Sequence, residues 1–261
     1  MTASRRGDGP VSVWAFGRRP ATEAIRAGRA REVLVAARAA EVASLVEEAE
    51  RAGAPVRRVP REELDALAGD VRHQGVAVRA PLPATLGERD LGERDWGEGA
   101  LVVILDGIED PQNVGAIARV AEAAGAEALV LRERRSAGVT AAAVRASAGA
   151  LLHLPVAVVA NLRRAIDRLR DAGFTAAGLD AGGTVVVGAD PPPEGRVALV
   201  VGSEGAGLSR LVREGCDLLV AIPMHGHVES LNAATATAAA LWGFLLAQGR
   251  ARPPEGVSRA L

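Results

Sequence analysis

Two short apolar runs in the last quarter of the chain constrain its fold most. Residues 197–201 (VALVV) and 218–222 (LLVAI) have the length and the branched side chains of strands that are buried in a parallel sheet. A polar loop follows each run, at 202–207 (GSEGAG) and at 223–230 (PMHGHVES), and an alanine-rich helix starts near Leu231. Ligands of open α/β sheets bind outside the carboxyl ends of the strands. The two loops therefore predict a binding site.

The rest of the chain alternates between strand-like and helix-like patterns. Over residues 11–80 this alternation predicts a small α/β domain, and over residues 100–250 it predicts a larger domain with a mostly parallel, doubly wound sheet. Between them, residues 81–99 carry two prolines and a near-duplicated GERD sequence, so we expect a flexible linker, with Trp96 docked on a domain surface. We expect the polar residues 1–10 to be disordered.

Composition narrows the class of protein. Hydrophobic residues make up 49% of the chain but aromatic residues only 2%, so the core must consist mainly of Ala, Val and Leu. The formal net charge is −1, which gives no global basic field for nucleic acid. A single cysteine, Cys216, excludes an internal disulfide and a cysteine-based zinc cluster. With no long apolar segment near residue 1, we expect a cytoplasmic protein without a secretory signal or membrane span.

The glycine-containing loop at 202–207 differs from the common phosphate-binding loops. Its order is G-x-x-G-x-G rather than G-x-G-x-x-G, and no G-K-[ST] follows. The glycines are also what a tight strand-to-helix turn requires. Because Glu204 would repel a phosphate, the loop suits a ligand that carries hydroxyl or amine groups.

Polar residues at three places are candidates for a function. Asn113 can cap the helix predicted over 113–124 or can serve a site. Arg119 lies among small apolar residues of that helix, so we expect it to be buried and to pair with a phosphate or with Glu204. Ser230, which flanks Leu231 together with Asn232, can cap the last helix or face a ligand.

A metal site is not expected. His225, His227 and Glu229 lie close together on one loop, as zinc ligands can, but no further Cys/His cluster supports such a site.

Three segments together resemble the signature motifs of a known family. LDGIEDPQNVGAIARVAEAAG, LVVGSEGAGLS and IPMHGHVESLNAATATAAALW, in this order, are similar to the motifs of the SpoU (TrmH-like) 2′-O-ribose RNA methyltransferases. Residues 11–80, with GRRPATEAIRAG and VRHQGVAVR, resemble the L30e-like RNA-binding domain of that family. The two-domain form is most similar to the members that methylate a guanosine of 23S ribosomal RNA.

The resemblance implies a fold, a cofactor and a partner. The fold is a trefoil-knotted α/β (SPOUT) domain, a rare exception to unknotted chain paths. The cofactor is S-adenosylmethionine, and the resemblance implies that a second copy of the chain completes the active site in a homodimer. The implied cofactor-binding residues are Gly202, Gly207, Ile222 and Leu231. The implied catalytic residues are Asn113, Arg119, Glu204, Ser230 and Asn232.

The chemistry of the implied reaction suggests a role for each catalytic residue. A ribose 2′-hydroxyl must lose its proton as it attacks the methyl group, and Arg119 either polarises this hydroxyl or acts as a base whose pKa the pocket depresses. Ser230 and Asn232 orient the hydroxyl, and Asn113 fixes Arg119. Glu229, His225 and His227 depart from the family pattern.

The substrate remains open at this stage. RNA contacts are expected from local arginine patches, which comprise Arg5, Arg6, Arg18, Arg19, Arg57 and Arg58. A transfer RNA, or the ribosomal adenosine that thiopeptide-resistance enzymes methylate, are alternative substrates. An alternative of another class is a non-catalytic L30e-like RNA-binding protein.

Overall fold

A computed structural model describes residues 12–37, 40–228 and 230–250 of the chain. The expectations for residues 1–10, including Arg5 and Arg6, and for Val11 and Glu229 lie outside these described residues. Within the described part, no helix has both the length and the apolar character needed to cross a membrane.

The first part of the chain forms a four-stranded mixed sheet with helices. Its elements are β1 (Ser12–Phe16), α1 (Arg18–Arg26), β2 (Glu32–Ala36), a 3₁₀ turn (Ala40–Val42), α2 (Ala43–Arg51), β3 (Val56–Val59), α3 (Arg61–Ala68) and β4 (Val76–Pro81). The strand order is β1-β4-β2-β3, with β4 antiparallel to both of its neighbours and β2 parallel to β3. The alternation predicted for this region is confirmed.

The segment 81–99 is more ordered than the sequence suggested. It contains helix α4 (Glu88–Glu93), which packs against the next domain. Leu91 is fully buried, and Trp96 is only 2% exposed, with its ring edge-to-face against Phe174 at 5.2 Å between centroids. The prediction of a flexible linker that buries nothing is therefore wrong for the part that carries Leu91 and Trp96, although Trp96 docks as expected. The placement of the domain boundaries stays a prediction.

The second part of the chain forms a seven-stranded sheet in which every strand pair is parallel. Its elements are β5 (Leu101–Asp106), α5 (Pro111–Ala123), β6 (Ala128–Arg132), α6 (Ala141–Ala146), a 3₁₀ turn (Ala150–Leu152), β7 (Val156–Val159), α7 (Leu162–Asp171), β8 (Phe174–Leu179), β9 (Val185–Val186), β10 (Arg196–Gly202), α8 (Arg210–Arg213), β11 (Leu218–Ala221) and α9 (Ala233–Ala247). The strand order is β7-β6-β5-β10-β8-β11-β9. The predicted α/β class is confirmed.

Strand β10 shows why the apolar runs become central strands. Its residues Val197, Leu199 and Val201 are buried in a core that also contains residues of α5, α6 and α9. The intervening Ala198 and Val200 are buried in a second core, together with residues of α7. Since successive side chains point to opposite faces of a sheet, a strand that is covered on both faces reads as a continuous apolar run.

The chain path brings the strand ends together. Strand β11 lies between β8 and β9, although β8 and β9 are directly connected by residues 180–184. A late strand is thus inserted between two earlier ones. Strands β5, β10, β8 and β11 are neighbours and run parallel, so the loops after them meet at one edge of the sheet.

Candidate active site

The loops at this edge surround a cavity of about 510 Å³. Its walls come from the loop after β10, from the residues after β8 and from the segment that leads from β11 into α9. Gly202, Gly207, Ile222 and Leu231, which the sequence analysis assigned to a cofactor, all line this cavity. The structure thus brings the four residues into one place, while their role remains a prediction.

Glu204 lies at the cavity and connects three parts of the chain. Its Oε1 accepts a hydrogen bond from Nδ2 of Asn232 at 2.6 Å and one from Nδ2 of Asn113 at 3.0 Å. The backbone N–H of Ala233 donates to the same oxygen at 3.5 Å. Nδ2 of Asn232 also donates to Oδ1 of Asn113 at 3.2 Å. We call Glu204, Asn113 and Asn232 the carboxylate–amide cluster.

The cap of α5 leaves the side chain of Asn113 free for this cluster. The helix begins at Pro111, and its cap is Asp110, whose Oδ1 accepts a hydrogen bond from the backbone N–H of Gln112 at 2.9 Å. Proline suits the first helical position because the N–H it lacks has no partner there in any case. The interpretation of Asn113 as a helix cap is therefore wrong, since its amide points to Glu204.

Asn232 has two tasks. Its Oδ1 caps α9 by accepting hydrogen bonds from the backbone N–H groups of Ala234 at 2.9 Å and Thr235 at 3.4 Å. Its Nδ2 binds the cluster. Ser230 is therefore not the cap that the sequence allowed, and instead it lines the cavity as an exposed residue.

Gly202 is required by the chain itself. A Cβ atom at this position would overlap the backbone of Gly207 and Leu208. The loop closes on itself through two backbone hydrogen bonds between Ser203 and Gly207, at 3.1 and 2.9 Å. Just beyond it, the backbone N–H of Ser209 donates to the buried carboxylate of Asp106 at 2.7 Å. The glycine thus permits a tight loop whose shape forms the wall of the cavity.

Two acidic residues of this region, Asp106 and Asp180, were not identified as functional from the sequence. Asp106 anchors the loop, as described above. Asp180 lines the cavity directly after β8, where Arg213 donates a hydrogen bond to its Oδ2 at 2.9 Å and the N–H of Gly182 to its Oδ1 at 2.9 Å. The bond from Arg213 lowers the pKa of Asp180 below its ordinary value. Both carboxylates end a strand or follow one directly, which is the signal that could have identified them.

Arg119 is not where the sequence analysis placed it. Its side chain is exposed rather than buried, and it forms no ion pair with Glu204. It lines a second cavity, between α1 and the helices of the large domain, together with Arg18 and Arg19. Arg119 lines the open space between these helices, so its side chain stays accessible. Within one chain, Arg119 does not join the carboxylate–amide cluster.

The histidine loop shows no metal-binding geometry in the described part of the chain. His225 and His227 are exposed, and the described residues contain no group of three His, Cys, Asp or Glu side chains that could hold a metal ion.

Comparison with known proteins identifies the class of this two-domain α/β protein. Residues 100–242 match the SpoU rRNA Methylase family, and residues 14–85 match a domain described as RNA 2′-O ribose methyltransferase substrate binding. The chain is 44% identical over 235 residues to a protein named uncharacterized tRNA/rRNA methyltransferase from Mycolicibacterium paratuberculosis, with 87% of this chain and 74% of that protein covered. It is an RNA methyltransferase, and it belongs to the SpoU family.

Solved structures agree with this assignment. The SpoU methyltransferase AviRb from Streptomyces viridochromogenes, solved in complex with the cofactor AdoMet, has a TM-score of 0.76 and 28% identity, with 92% of each chain covered. An AdoMet-bound rRNA methyltransferase from Sinorhizobium meliloti has a TM-score of 0.71 and 26% identity, with 90% of this chain and 87% of that chain covered. Both cover nearly the whole chain, so the similarity extends over both domains.

Proposed function

We propose that this protein transfers a methyl group from S-adenosylmethionine to a ribose 2′-hydroxyl of RNA, and that its target is a guanosine of 23S ribosomal RNA in the cytoplasm. One observation carries the proposal: the cavity formed by Gly202, Gly207, Ile222 and Leu231 opens beside the carboxylate–amide cluster. A small-molecule site thus adjoins polar groups that can position a hydroxyl.

The cavity fits a nucleoside-type cofactor. Backbone groups of the glycine loop and apolar side chains of Ile222 and Leu231 form its walls, while Ser230 and Asp180 add hydrogen-bonding groups. These residues would hold S-adenosylmethionine, which supplies an electrophilic methyl group when it is bound. The two solved relatives described above contain AdoMet, which supports this assignment.

The cluster provides orientation. Glu204 fixes both amide groups through its Oε1, so Asn113 and Asn232 are held in one arrangement before RNA arrives. Such preorganised polar groups accelerate a reaction mainly by holding the reacting atoms in position. Ser230, at the cavity, would orient the 2′-hydroxyl together with Asn232.

The surface of α9 supports a homodimer. An alanine- and leucine-rich helix that is apolar on all sides is normally buried on all sides. In one protomer α9 packs against α5 and the sheet, but Trp242 remains 39% exposed and Leu246 65% exposed. Both lie on a stripe that a second copy of the chain would cover.

In this dimer, Arg119 would serve the cavity of the partner. Arg119 lies on α5, which packs against α9, and it lines no part of the cavity of its own chain. Its guanidinium can bind a phosphate of the target nucleotide through two parallel hydrogen bonds and still polarise the hydroxyl. We expect Arg119→Ala and Arg119→Lys to keep the fold and cofactor binding but to lose about a hundredfold in methyl transfer.

Mixed dimers test the arrangement across the interface. Arg119→Ala and Asn232→Ala subunits, each inactive alone, are unfolded together, refolded and assayed. If Arg119 acts on the partner, one of the two sites in each mixed dimer is intact, so random mixing restores about a quarter of wild-type activity. If Arg119 acts within its own chain, mixing restores no activity.

The substrate is tested by direct transfer. Unmodified 23S ribosomal RNA and a pool of transfer RNAs, both transcribed in vitro, are incubated with radiolabelled S-adenosylmethionine, and 2′-O-methyl sites are mapped. Methylation of one guanosine in 23S RNA supports the proposal, whereas methylation of an adenosine or of transfer RNA assigns the alternative substrate. Calorimetry without any detectable cofactor binding would contradict the assignment of the cavity to S-adenosylmethionine.

A further inference from the structure

The second cavity lies between the two domains. It has a volume of about 640 Å³, and one of its walls is α1 of the small domain. The other wall is formed by α5 and by residues 147–153 of the large domain. We call it the interdomain cleft. The small domain matches the substrate-binding family model and the large domain matches the methylase family model. The cleft therefore lies between the domain for substrate binding and the domain for methyl transfer.

The two walls of the cleft pack against each other. Buried residues of α1, such as Ala21 and Ile25, and Leu151 of the large domain belong to one continuous hydrophobic core. At the contact, Gly149 has φ +100°, and a Cβ atom there would lie 2.8 Å from Cβ of Glu23. His153 reaches Glu23 across the boundary, with Nε2 and Oε2 3.5 Å apart. The cleft is therefore a formed groove between packed elements.

The cleft carries uncompensated positive charge. Arg18, Arg19 and Arg119 line it with exposed side chains, and none of them forms an ion pair with a described residue. Most of the other charged residues of the cleft have partners: Arg26 pairs with Glu48 at 2.7 Å, and Glu23 faces His153. The remaining carboxylate, Glu122, is exposed on α5. Guanidinium groups without carboxylate partners in a concave site are typical of phosphate recognition.

The geometry points to the interdomain cleft as the site that holds the phosphate backbone of the substrate RNA, with Arg18 and Arg19 as its binding residues. The inference rests on the proposed function. The groove extends from α1 of the small domain to α5 of the large domain, and Arg119 on α5 lines it together with Arg18 and Arg19. The alternative source of the same chemistry is a free anion such as inorganic phosphate. Among the arginines named from sequence, Arg57 is instead neutralised by Glu63 at 2.9 Å.

The test compares two double variants that lose the same charge. The cleft variant, Arg18→Gln/Arg19→Gln, removes two positive side chains from the cleft. The control variant, Arg51→Gln/Arg89→Gln, removes two exposed arginines from α2 and α4. RNA affinity is measured on unmodified 23S RNA over a range of salt concentrations. The cleft variant should lose about tenfold or more in affinity, with a salt slope reduced by about one to two, while the control variant binds as wild type does.

Further measurements separate the possible failures. Methyl transfer by the cleft variant should show a raised KM for RNA, with kcat and cofactor affinity unchanged. The Arg18→Lys/Arg19→Lys variant keeps the charge and should recover the salt slope, which excludes misfolding as the cause.

Equal RNA affinity of the cleft and control variants overturns the inference. A second outcome also overturns it. If calorimetry shows that the cleft variant alone has lost binding of inorganic phosphate while its RNA affinity is unchanged, the cleft binds a free anion and not the RNA backbone. If wild type binds RNA through the cleft but methylates no RNA, the proposed function fails and the cleft stands.

Discussion

Substitutions of Asn232 can separate an effect on the stability of the fold from an effect on methyl transfer, because the two polar atoms of its side chain have different partners. Its Oδ1 caps α9 and its Nδ2 donates to Glu204 at 2.6 Å. Asn232→Ala removes both functions. Asn232→Asp keeps an oxygen for the cap, but it replaces the donor by a second carboxylate beside Glu204.

The magnitudes follow from these contacts. Loss of an N-cap costs about 1 kcal/mol of unfolding free energy, which lowers Tm by about 2–4 °C in a protein of this size. Asn232→Asp keeps the cap, but its new carboxylate oxygen replaces a donor that lies 2.6 Å from Oε1 of Glu204, so repulsion between like charges also lowers its Tm. Both variants should lose about a hundredfold in kcat, since the site loses a positioned donor.

Asn161→Ala is the matched control. Asn161 caps α7 by accepting a hydrogen bond from the backbone N–H of Arg164 at 3.2 Å, and it lies on the opposite side of the sheet from α9. It should show the same fall in Tm with unchanged methyl transfer. Thermal unfolding and single-turnover transfer at saturating cofactor measure the two effects. If Asn232→Asp keeps its activity within about threefold of wild type, the donor to Glu204 has no catalytic role and the reasoning is refuted.

Three further predictions rest on other parts of the structure. Gly202→Ala should abolish cofactor binding in calorimetry because its Cβ displaces the loop backbone, whereas Gly188→Ala, with φ +80° and open space, should cost only about 1 kcal/mol in thermal unfolding; normal cofactor affinity of the first variant would contradict this. Replacing Trp242 and Leu246 by glutamate should convert a dimer into a monomer in light scattering, and an unchanged mass would reject α9 as the interface. Burial raises the pKa of Cys216 to about 11, so it should stay a thiol at pH 8 and react with iodoacetamide much more slowly in the native than in the unfolded protein; equal rates would exclude this burial.

The strands and the position of the cavity could be predicted from sequence because both depend on local pattern. Apolar runs such as 197–201 become central strands once both faces are covered, and parallel strands place their following loops at one edge. The loops at 202–207 and 223–230 could thus be assigned to one site, whereas Gly202 and Leu231 were implied as cofactor-binding residues only by the resemblance to the SpoU family.

Caps and the linker could not be predicted in the same way because they depend on individual contacts. Asp110 rather than Asn113 caps α5, although the Asp-Pro pair carried the signal. In the segment 81–99, the duplicated charges concealed two apolar residues, Leu91 and Trp96, which are buried. A pattern that looks polar on average can therefore be held in place by two side chains.

The exposure of Arg119 bears on how the active site would be completed in the proposed homodimer. Composition predicted a buried arginine, since its neighbours in α5 are small and apolar, but small residues also allow two helices to approach closely. Helix α5 packs against α9 on one side, and α9 has an apolar stripe that the described residues leave exposed. We propose that a second copy that covers this stripe also brings its own cavity to the face of α5 that carries Arg119. In the proposed dimer the same pair of helices would therefore bury apolar surface and deliver the guanidinium, so that activity depends on assembly.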